Sequence, residues 1–453
     1  MLLKRVHSMK NLYPSSFVTL LTFLSMTLVI STSVNGQNRI DTQRPDAPKL
    51  AAYGKHKVGV RTLELVNPNQ IDVVNIDTTD PDSPVIPRYD RPLSVELWYP
   101  AADDANGGKI QTTYLRDGTT EIEISGKAMR DAKPLKDSEA FPFIVISHGY
   151  PGNRYLMAHL GENLASKGYI VAAIDHTDST YRTLASFQST LVNRPLDQGF
   201  VLDEMEKMNA TPSFFLHGMV DINNSAIIGY SMGGYGAVIM SGAGITEQAV
   251  TSDMLVPSGL LSMYQSGAAS QSSRPDPRIK TVIAFAPWGM NYRLWNEKGL
   301  GEIDIPMLFV AGSVDDVSGY ENGVRALWGK AQNTERALLT YENANHGAGA
   351  PMPAPEESFY FNTELGINVS EHYTDPVWAN TRMNNIAQHF ATAWLGKYLK
   401  NNDAMNRYLD LVPYSNEGVW AKDESGEEKP EHTHWKGFKN RTAKGLRFEW
   451  LRP

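Results

Sequence analysis

Six short apolar runs, each followed by a turn and a helix-like stretch, constrain this chain more than any other feature. They are Phe143 to Ser147 (FIVIS), Tyr169 to Ile174 (YIVAAI), Ala226 to Ile228 (AII), Lys280 to Ala286 (KTVIAFA), Pro306 to Ala311 (PMLFVA) and Ala337 to Tyr341 (ALLTY). Runs apolar on both faces suit strands buried in a mostly parallel sheet, since a half-exposed strand would alternate. Between the first two, Leu156 to Ser166 carries helical spacing and stops before Gly168, a good C-terminal cap. Asp375-Pro376 is expected to open a long helix to about Lys400, with Asp as N-cap and Pro at the first helical position. Such alternation predicts an α/β fold, a doubly wound, mostly parallel sheet. Tyr181 to Ser225 and Gly244 to Arg278 interrupt the pattern and read as insertions near the sheet's edge or over a pocket.

The flanks are read by composition. Residues 37–88 form a lead-in rich in Pro, Asp, Asn and Thr, with one strand at Val58 to Leu65. Its Asp cluster lacks the spacing of a calcium-binding EF-hand loop and reads as solvated. Leu93 to Tyr99 alternates like a half-buried strand. The main α/β domain is placed at 89–400. The tail, 401–453, is expected to pack on that domain, because Trp435, Phe438, Phe448 and Trp450 need burial.

Residues 1–36 have the layout of a secretory signal peptide. Lys4, Arg5 and Lys10 precede the uncharged run Phe17 to Ile30, and cleavage is expected before Gln37. A membrane span needs roughly 18–20 apolar residues, and this run has 14. Export with no retained anchor is therefore expected, to the periplasm or the exterior. Cleavage would remove three positive charges and no negative ones, taking the formal charge from −8 to −11. An acidic chain of pI near 5.8 lacks the basic face of a general nucleic-acid binder. Zero cysteines among 453 residues exclude disulfides, thiolate metal sites and a cysteine nucleophile.

An oxygen or nitrogen nucleophile is therefore required, and one motif supplies it. Gly229-Tyr230-Ser231-Met232-Gly233-Gly234 directly follows the run AII and precedes the helix-compatible Tyr235 to Met240. GxSxG alone is weak, but strand, tight turn and helix are the context in which it presents a serine. Glycines permit the turn, and Ser231 Oγ then stands above the sheet at a helix N-terminus. A serine hydroxyl needs a base and an acid to orient it. In the strand–turn–helix arrangement these follow the serine in the order acid, then histidine. His346 lies in a loop of small residues after the last apolar run; His372 is the rival. Two adjacent carboxylates, Asp315 and Asp316, follow PMLFVA as candidate acids. An oxyanion needs donors: the backbone N–H of Met232, and that of Tyr150 in His148-Gly149-Tyr150-Pro151-Gly152, with His148 bracing the loop.

These residues resemble the α/β-hydrolase superfamily, in the branch of predicted dienelactone hydrolases and platelet-activating-factor acetylhydrolase-like esterases. They are also similar to bacterial cutinase-like polyester hydrolases. The stretches that carry the resemblance include VGVRTLEL, LSVELWYPA, SHGYPGNRYLMAHLGENLASKGYIVAAIDH, GYSMGGYG, AFAPWG and PMLFVAGSVDD, spanning Val58 to His346. The resemblance implies a triad of Ser231, Asp315 and His346, Asp315 matching the family's Asp-x-Val spacing, and an oxyanion hole at Tyr150 and Met232. It also implies that Trp288 lines an acyl or aromatic subsite. Dienelactone hydrolases proper use a Cys nucleophile, and cutinase-like enzymes are compact and usually disulfide-bonded; this chain has long insertions and no Cys. Tyr150, Tyr230, Tyr235 and Trp288 then predict a compact, aromatic-lined pocket.

The expected activity is hydrolysis of short-chain or acetyl carboxylic esters through an acyl-enzyme, with no cofactor and no metal. The substrate is expected to be a small-molecule or carbohydrate-linked ester. An amidase or peptidase would use the same triad. A binding protein on a hydrolase scaffold would normally have lost a triad member. The segment after His346 (GAGAPMPAP, then Phe359, Tyr360 and Phe361) is expected to cover the site partly.

Overall fold

Each apolar run carries side chains for both faces of a sheet, and the runs pair into its centre. The computed structural model describes residues 38–453 except 78, 80–84, 106–107, 109–110, 137–138, 185–186 and 269–274; the signal-peptide reading of 1–36 lies outside the described residues. The main sheet is built from β1 (Lys57–Ile71), β2 (Arg88–Ala101), β3 (Met129–Arg130), β4 (Phe141–Ser147) and β5 (Ile170–Asp175), then β6 (Val220–Tyr230), β7 (Ile279–Phe285), β8 (Met307–Gly312), β9 (Arg336–Tyr341) and β10 (Leu446–Leu451). Side by side the order is β10-β9-β8-β7-β6-β4-β5-β2-β1-β3. Every neighbouring pair from β5 through β9 is parallel. The flanking β2, β1 and β10 are antiparallel to their inner neighbours.

Alternate residues of the central strands feed two cores. Ile144, Ile146, Ile283, Phe285, Leu308 and Val310 pack on one side with helices α1 (Ala158–Ala165) and α4 (Asn380–Lys400). Phe143, Val145, Val282, Ala284 and Phe309 pack on the other with α2 (Phe187–Ala210) and α3 (Met232–Met240). Both faces are covered, as a doubly wound sheet requires.

Two elements differ from the sequence reading. The stretch Tyr181 to Ser225 holds the long crossover helix α2 rather than an edge insertion. Helical periodicity is obscured there because Asn193, Arg194, Asp197 and Gln198 are buried polar residues and Pro195 sits inside the helix. Pro195 cannot donate to the carbonyl of Leu191, and the Tyr235 hydroxyl takes that place at 2.9 Å. Helix α4 starts at Asn380, five residues after the expected cap. Asp375 Oδ1 instead accepts from the N–H groups of Val377 and Trp378, and Oδ2 accepts from that of Asn345.

Aromatic side chains of the tail are buried, and its last segment joins the sheet. Trp435, Phe438 and Phe448 are buried, with Phe448 stacked on Phe390 of α4 at 4.9 Å. Each such side chain contributes about 1.5–3 kcal/mol. Strand β10 is the final segment, covering the edge of β9.

Candidate active site

Parallel strands put their C-terminal ends at one edge of the sheet, which gathers the loops after β4, β6, β8 and β9. That edge is where open α/β sheets hold their ligands. Ser231, Asp315, His346 and the backbone of Tyr150 lie in these loops, and Met232 opens the helix after the second.

Ser231 occupies the turn between β6 and α3 with φ 52° and ψ −112°, in the left-handed half of backbone space. A non-glycine residue there costs on the order of 1–3 kcal/mol and persists only if its surroundings over-determine it. They do so here. Ser231 N–H donates to Phe285 O at 2.9 Å, and Ser231 O accepts from Tyr235 N–H at 2.9 Å and Trp288 N–H at 3.1 Å. The turn is tight enough to exclude side chains: a Cβ on Gly229 would lie 2.2 Å from Gly233 O, and one on Gly233 2.0 Å from Ser147 O.

His346, in the loop after β9, bridges two groups. Its Nε2 lies 3.0 Å from Ser231 Oγ, and its Nδ1 lies 3.0 Å from each carboxylate oxygen of Asp315. An Nδ1–H tautomer satisfies both contacts, leaving Nε2 free to accept from the serine hydroxyl. Asp315 is buried while Asp316 is exposed, so the fold presents the first of the two carboxylates to the ring. Asp315 Oδ1 also accepts from the N–H groups of Val317 and Ser318, both at 2.9 Å. Burial pushes this carboxyl up, but the bonds from His346, Val317 and Ser318 outweigh it and hold it below the ordinary aspartate range.

Asn345 was missed by the sequence reading. Its side-chain oxygen accepts from the N–H groups of His346 and Asp316, tying the base loop to the acid loop, while Asp375 holds its own N–H. A polar residue directly before the candidate base was the only available signal. His372 does not reach Ser231. Its Nε2 pairs with the Tyr181 hydroxyl at 2.8 Å, and burial pushes its pKa down to about 3.

The loop after β4 passes beside the serine, since a Cβ on Gly149 would lie 3.3 Å from Ser231 Cβ. Among the described residues, no backbone acceptor engages the N–H of Tyr150 or of Met232. Met232 begins α3, where helix N–H groups face outward and favour negative charge. The aromatics form a row: Tyr150 meets Phe187 edge-on at 5.4 Å, Phe187 meets Trp288 edge-on at 4.9 Å, and Trp288 stacks on Tyr292 at 4.5 Å. Tyr230 is separate, its ring tilted against His346 at 5.2 Å. Tyr235 is directed elsewhere, its hydroxyl capping Leu191 O of α2.

A cleft of about 570 Å³ flanks His346, walled by Tyr230, Val317, Asn345, His372 and Thr374. Of the segment expected to cover it, Gly347 borders the cleft and the residues after it turn away. Ala348, Ala350 and Met352 are buried, and Met352 N–H donates to Leu156 O at 2.7 Å. Phe359, Tyr360 and Phe361 are exposed, with the Tyr360 hydroxyl bound to Asp117. Residues 371–376 supply the cleft wall instead.

Residues 89–201 match the family described as "Platelet-activating factor acetylhydrolase, isoform II". The chain is similar to cutinase est1 of Thermobifida alba, 24% identical over 47% of this chain and 56% of that one. It is also similar to cutinase 2 of Thermobifida cellulosilytica, 20% identical over 64% of this chain and 79% of that one. The chain thus matches little more than half of the first relative's length. A ferulic acid esterase structure from Streptomyces cinnamoneus superposes with a TM-score of 0.51 at 21% identity, covering 79% of this chain and 94% of that one. The chain has the α/β-hydrolase fold, with cutinase-like similarity.

Proposed function

We propose that the chain is an exported serine hydrolase that cleaves carboxylic esters through an acyl-enzyme. One observation carries the reading: a single imidazole joins Ser231 Oγ and Asp315 at 3.0 Å on either side, at a strained turn on the C-terminal edge of the sheet. In the proposed mechanism His346 Nε2 accepts the Ser231 proton as Oγ attacks the ester carbonyl carbon. Asp315 holds the Nδ1–H tautomer and stabilises the imidazolium. The oxyanion forms against the N–H groups of Tyr150 and Met232. The imidazolium then protonates the departing alkoxide, and water repeats the sequence to release the acid.

Kinship with proteins named as cutinases, and with a family described as an acetylhydrolase, supports esters over amides. The aromatic row through Trp288 supports acyl groups that are compact or flat. No helix among the described residues is long and apolar enough to cross a membrane. Export rests on the N-terminal segment's charge and apolar pattern.

The test is turnover of 4-nitrophenyl esters of increasing acyl length, together with fluorophosphonate labelling. The wild-type protein should be labelled at Ser231 and prefer short chains. An unlabelled protein that turns over no ester would refute the activity, and a rate maximum at long chains would refute the compact pocket.

A further inference from the structure

Beneath the loop after β4 lies a guanidinium with an unusual set of partners. Arg194 of α2 is fully buried, yet the groups around its guanidinium nitrogens are carbonyls, hydroxyls and a ring nitrogen rather than carboxylates. Nη1 donates to the carbonyl of His148 and lies 3.4 Å from Ser147 Oγ. Nη2 donates to the carbonyl of Gly149 at 3.0 Å and to Ser179 Oγ at 2.8 Å, and lies 3.4 Å from His148 Nδ1. The nearby carboxylates, Asp178 and Asp197, are gripped by Arg91, whose Nε and Nη2 each lie 2.8 Å from Asp197. Burying a cation without direct ionic contact costs several kcal/mol. Its fork is spent on two successive peptide groups.

Those peptides lead into the candidate oxyanion donor. The Gly149 carbonyl and the Tyr150 N–H are opposite ends of one planar unit, so whatever fixes the oxygen fixes the N–H. A charged donor on the oxygen also polarises the unit and strengthens the N–H as a donor. His148 adds a second donor: its Nδ1 lies 2.6 Å from Gly149 O, while its Nε2 accepts from His176 N–H at 3.3 Å. At the other candidate donor, the Ser231 carbonyl in the same peptide unit as the Met232 N–H accepts from two backbone groups. Both units are therefore anchored at the oxygen, but only the one ending at Tyr150 is anchored by a cation.

We propose that Arg194 is a positioning residue for the oxyanion site, fixing and polarising the Gly149–Tyr150 peptide so that the Tyr150 N–H meets the developing charge. The proposal rests on the ester-hydrolase reading above and deepens it. Helix α2 delivers the group: Pro195 breaks the backbone pattern next to Arg194, and the Tyr235 and Tyr264 hydroxyls take up the carbonyls of Leu191 and Val192.

The test compares 4-nitrophenyl acetate with its thiono analogue, whose sulfur is a poor guest for N–H donors. Wild type, Arg194→Lys, Arg194→Met and Ser179→Ala are measured, with circular dichroism and urea unfolding to report folding. The Arg194 variants should lose about 10- to 100-fold in kcat on the oxygen ester with KM within about twofold, part of the loss expected when an oxyanion donor is removed. The thiono rate should fall less, so the oxygen-to-sulfur ratio shrinks. Ser179→Ala should move the ratio the same way by about threefold, since it removes one anchor of Nη2 and leaves the charge in place. Equal losses on both esters, or no loss, in a folded Arg194 variant would overturn the proposal. Should neither Arg194 variant fold, an unchanged ratio in Ser179→Ala would do so. Wild type inactive on both esters, or full activity in Ser231→Ala, would instead sink the underlying reading.

Discussion

Among the described residues, two hydrogen-bonded Ser–His–Asp sets have nearly the same dimensions. Ser231, His346 and Asp315 are joined by contacts of 3.0 Å. Ser147, His176 and Asp197 are joined by contacts of 2.8 Å on both sides of the imidazole. Their surroundings separate them. Ser147 ends an ordinary strand and all three members of its set are 0% exposed, whereas the His346 side chain is 16% exposed beside a cleft. Burial, then Arg194 and Arg91, hold His176 well below the usual histidine range, so it does not take up a proton near neutrality. A trio of the right atoms at the right distances is thus not sufficient for the proposed chemistry. The Ser231 set differs by its strained turn, its bordering cleft and, among the described residues, backbone N–H groups with no backbone acceptor.

The largest break in this comparison is at the serines. Ser231→Ala should lower kcat on 4-nitrophenyl acetate by about 10⁶-fold, whereas Ser147→Ala should stay within about tenfold. Fluorophosphonate mass spectrometry should find adduct on Ser231 alone, and adduct on Ser147 would contradict the sealed interior. The carboxylates should divide differently. Asp315→Asn is expected to cost about 10⁴-fold in kcat with little change in urea midpoint, because the wrong tautomer is held. Asp197→Asn should destabilise the fold by about 3–5 kcal/mol, because Arg91 is left buried with half its charge partners.

Acid should attack the interior before it attacks the site. His148 and His176 sit well below their ordinary range, and His159, His372 and His389 are pushed down to about 3, all chiefly by burial. Below about pH 6.5 the unfolded chain protonates these rings while the folded chain does not, so stability falls by up to about 1.4 kcal/mol per pH unit per ring. Asp315 acts in the same direction but in a lower pH window. Its depressed carboxyl contributes stability that is complete above the ordinary aspartate range and is lost only as pH falls through its folded value. Urea unfolding from pH 7.5 to 4.5 should show a steep decline that His159→Gln makes shallower; a flat profile would contradict the buried neutral rings. The smallest effect should come from Phe359→Ser and Phe361→Ser. Both positions are exposed and outside the cleft wall, so stability should change by less than about 0.5 kcal/mol. Altered selectivity for bulky esters would show that this segment does cover the site.

The two sets also differ in how readable they are. Ser231 is marked by glycines on both sides and by the apolar run before it, and His346 and the Asp315-Asp316 pair each follow another such run. Buried parallel strands are apolar on both faces, so their ends can be counted along the chain, and the parallel arrangement brings those ends to one edge. Arg194 and Asp197 had no such marker. They face the interior from a helix whose apolar spacing they themselves interrupt, so the segment reads as an insertion. His176 follows its strand just as His346 does, and the pattern alone does not tell which ring meets open space.

What the sequence by itself determined is therefore the six central strands, the tight turn at Ser231 and the loops that carry the candidate groups, because periodicity and glycine sterics act over a few neighbouring residues. Only the tertiary structure decided which of two adjacent carboxylates meets His346, which of two Ser–His–Asp sets borders a cleft, and that a buried arginine grips the loop before Tyr150. Those outcomes depend on contacts between segments 21 to 115 residues apart, such as His176 with Asp197 and His346 with Ser231. Burial and hydrogen bonding at that range come from how the layers pack, which no local pattern encodes.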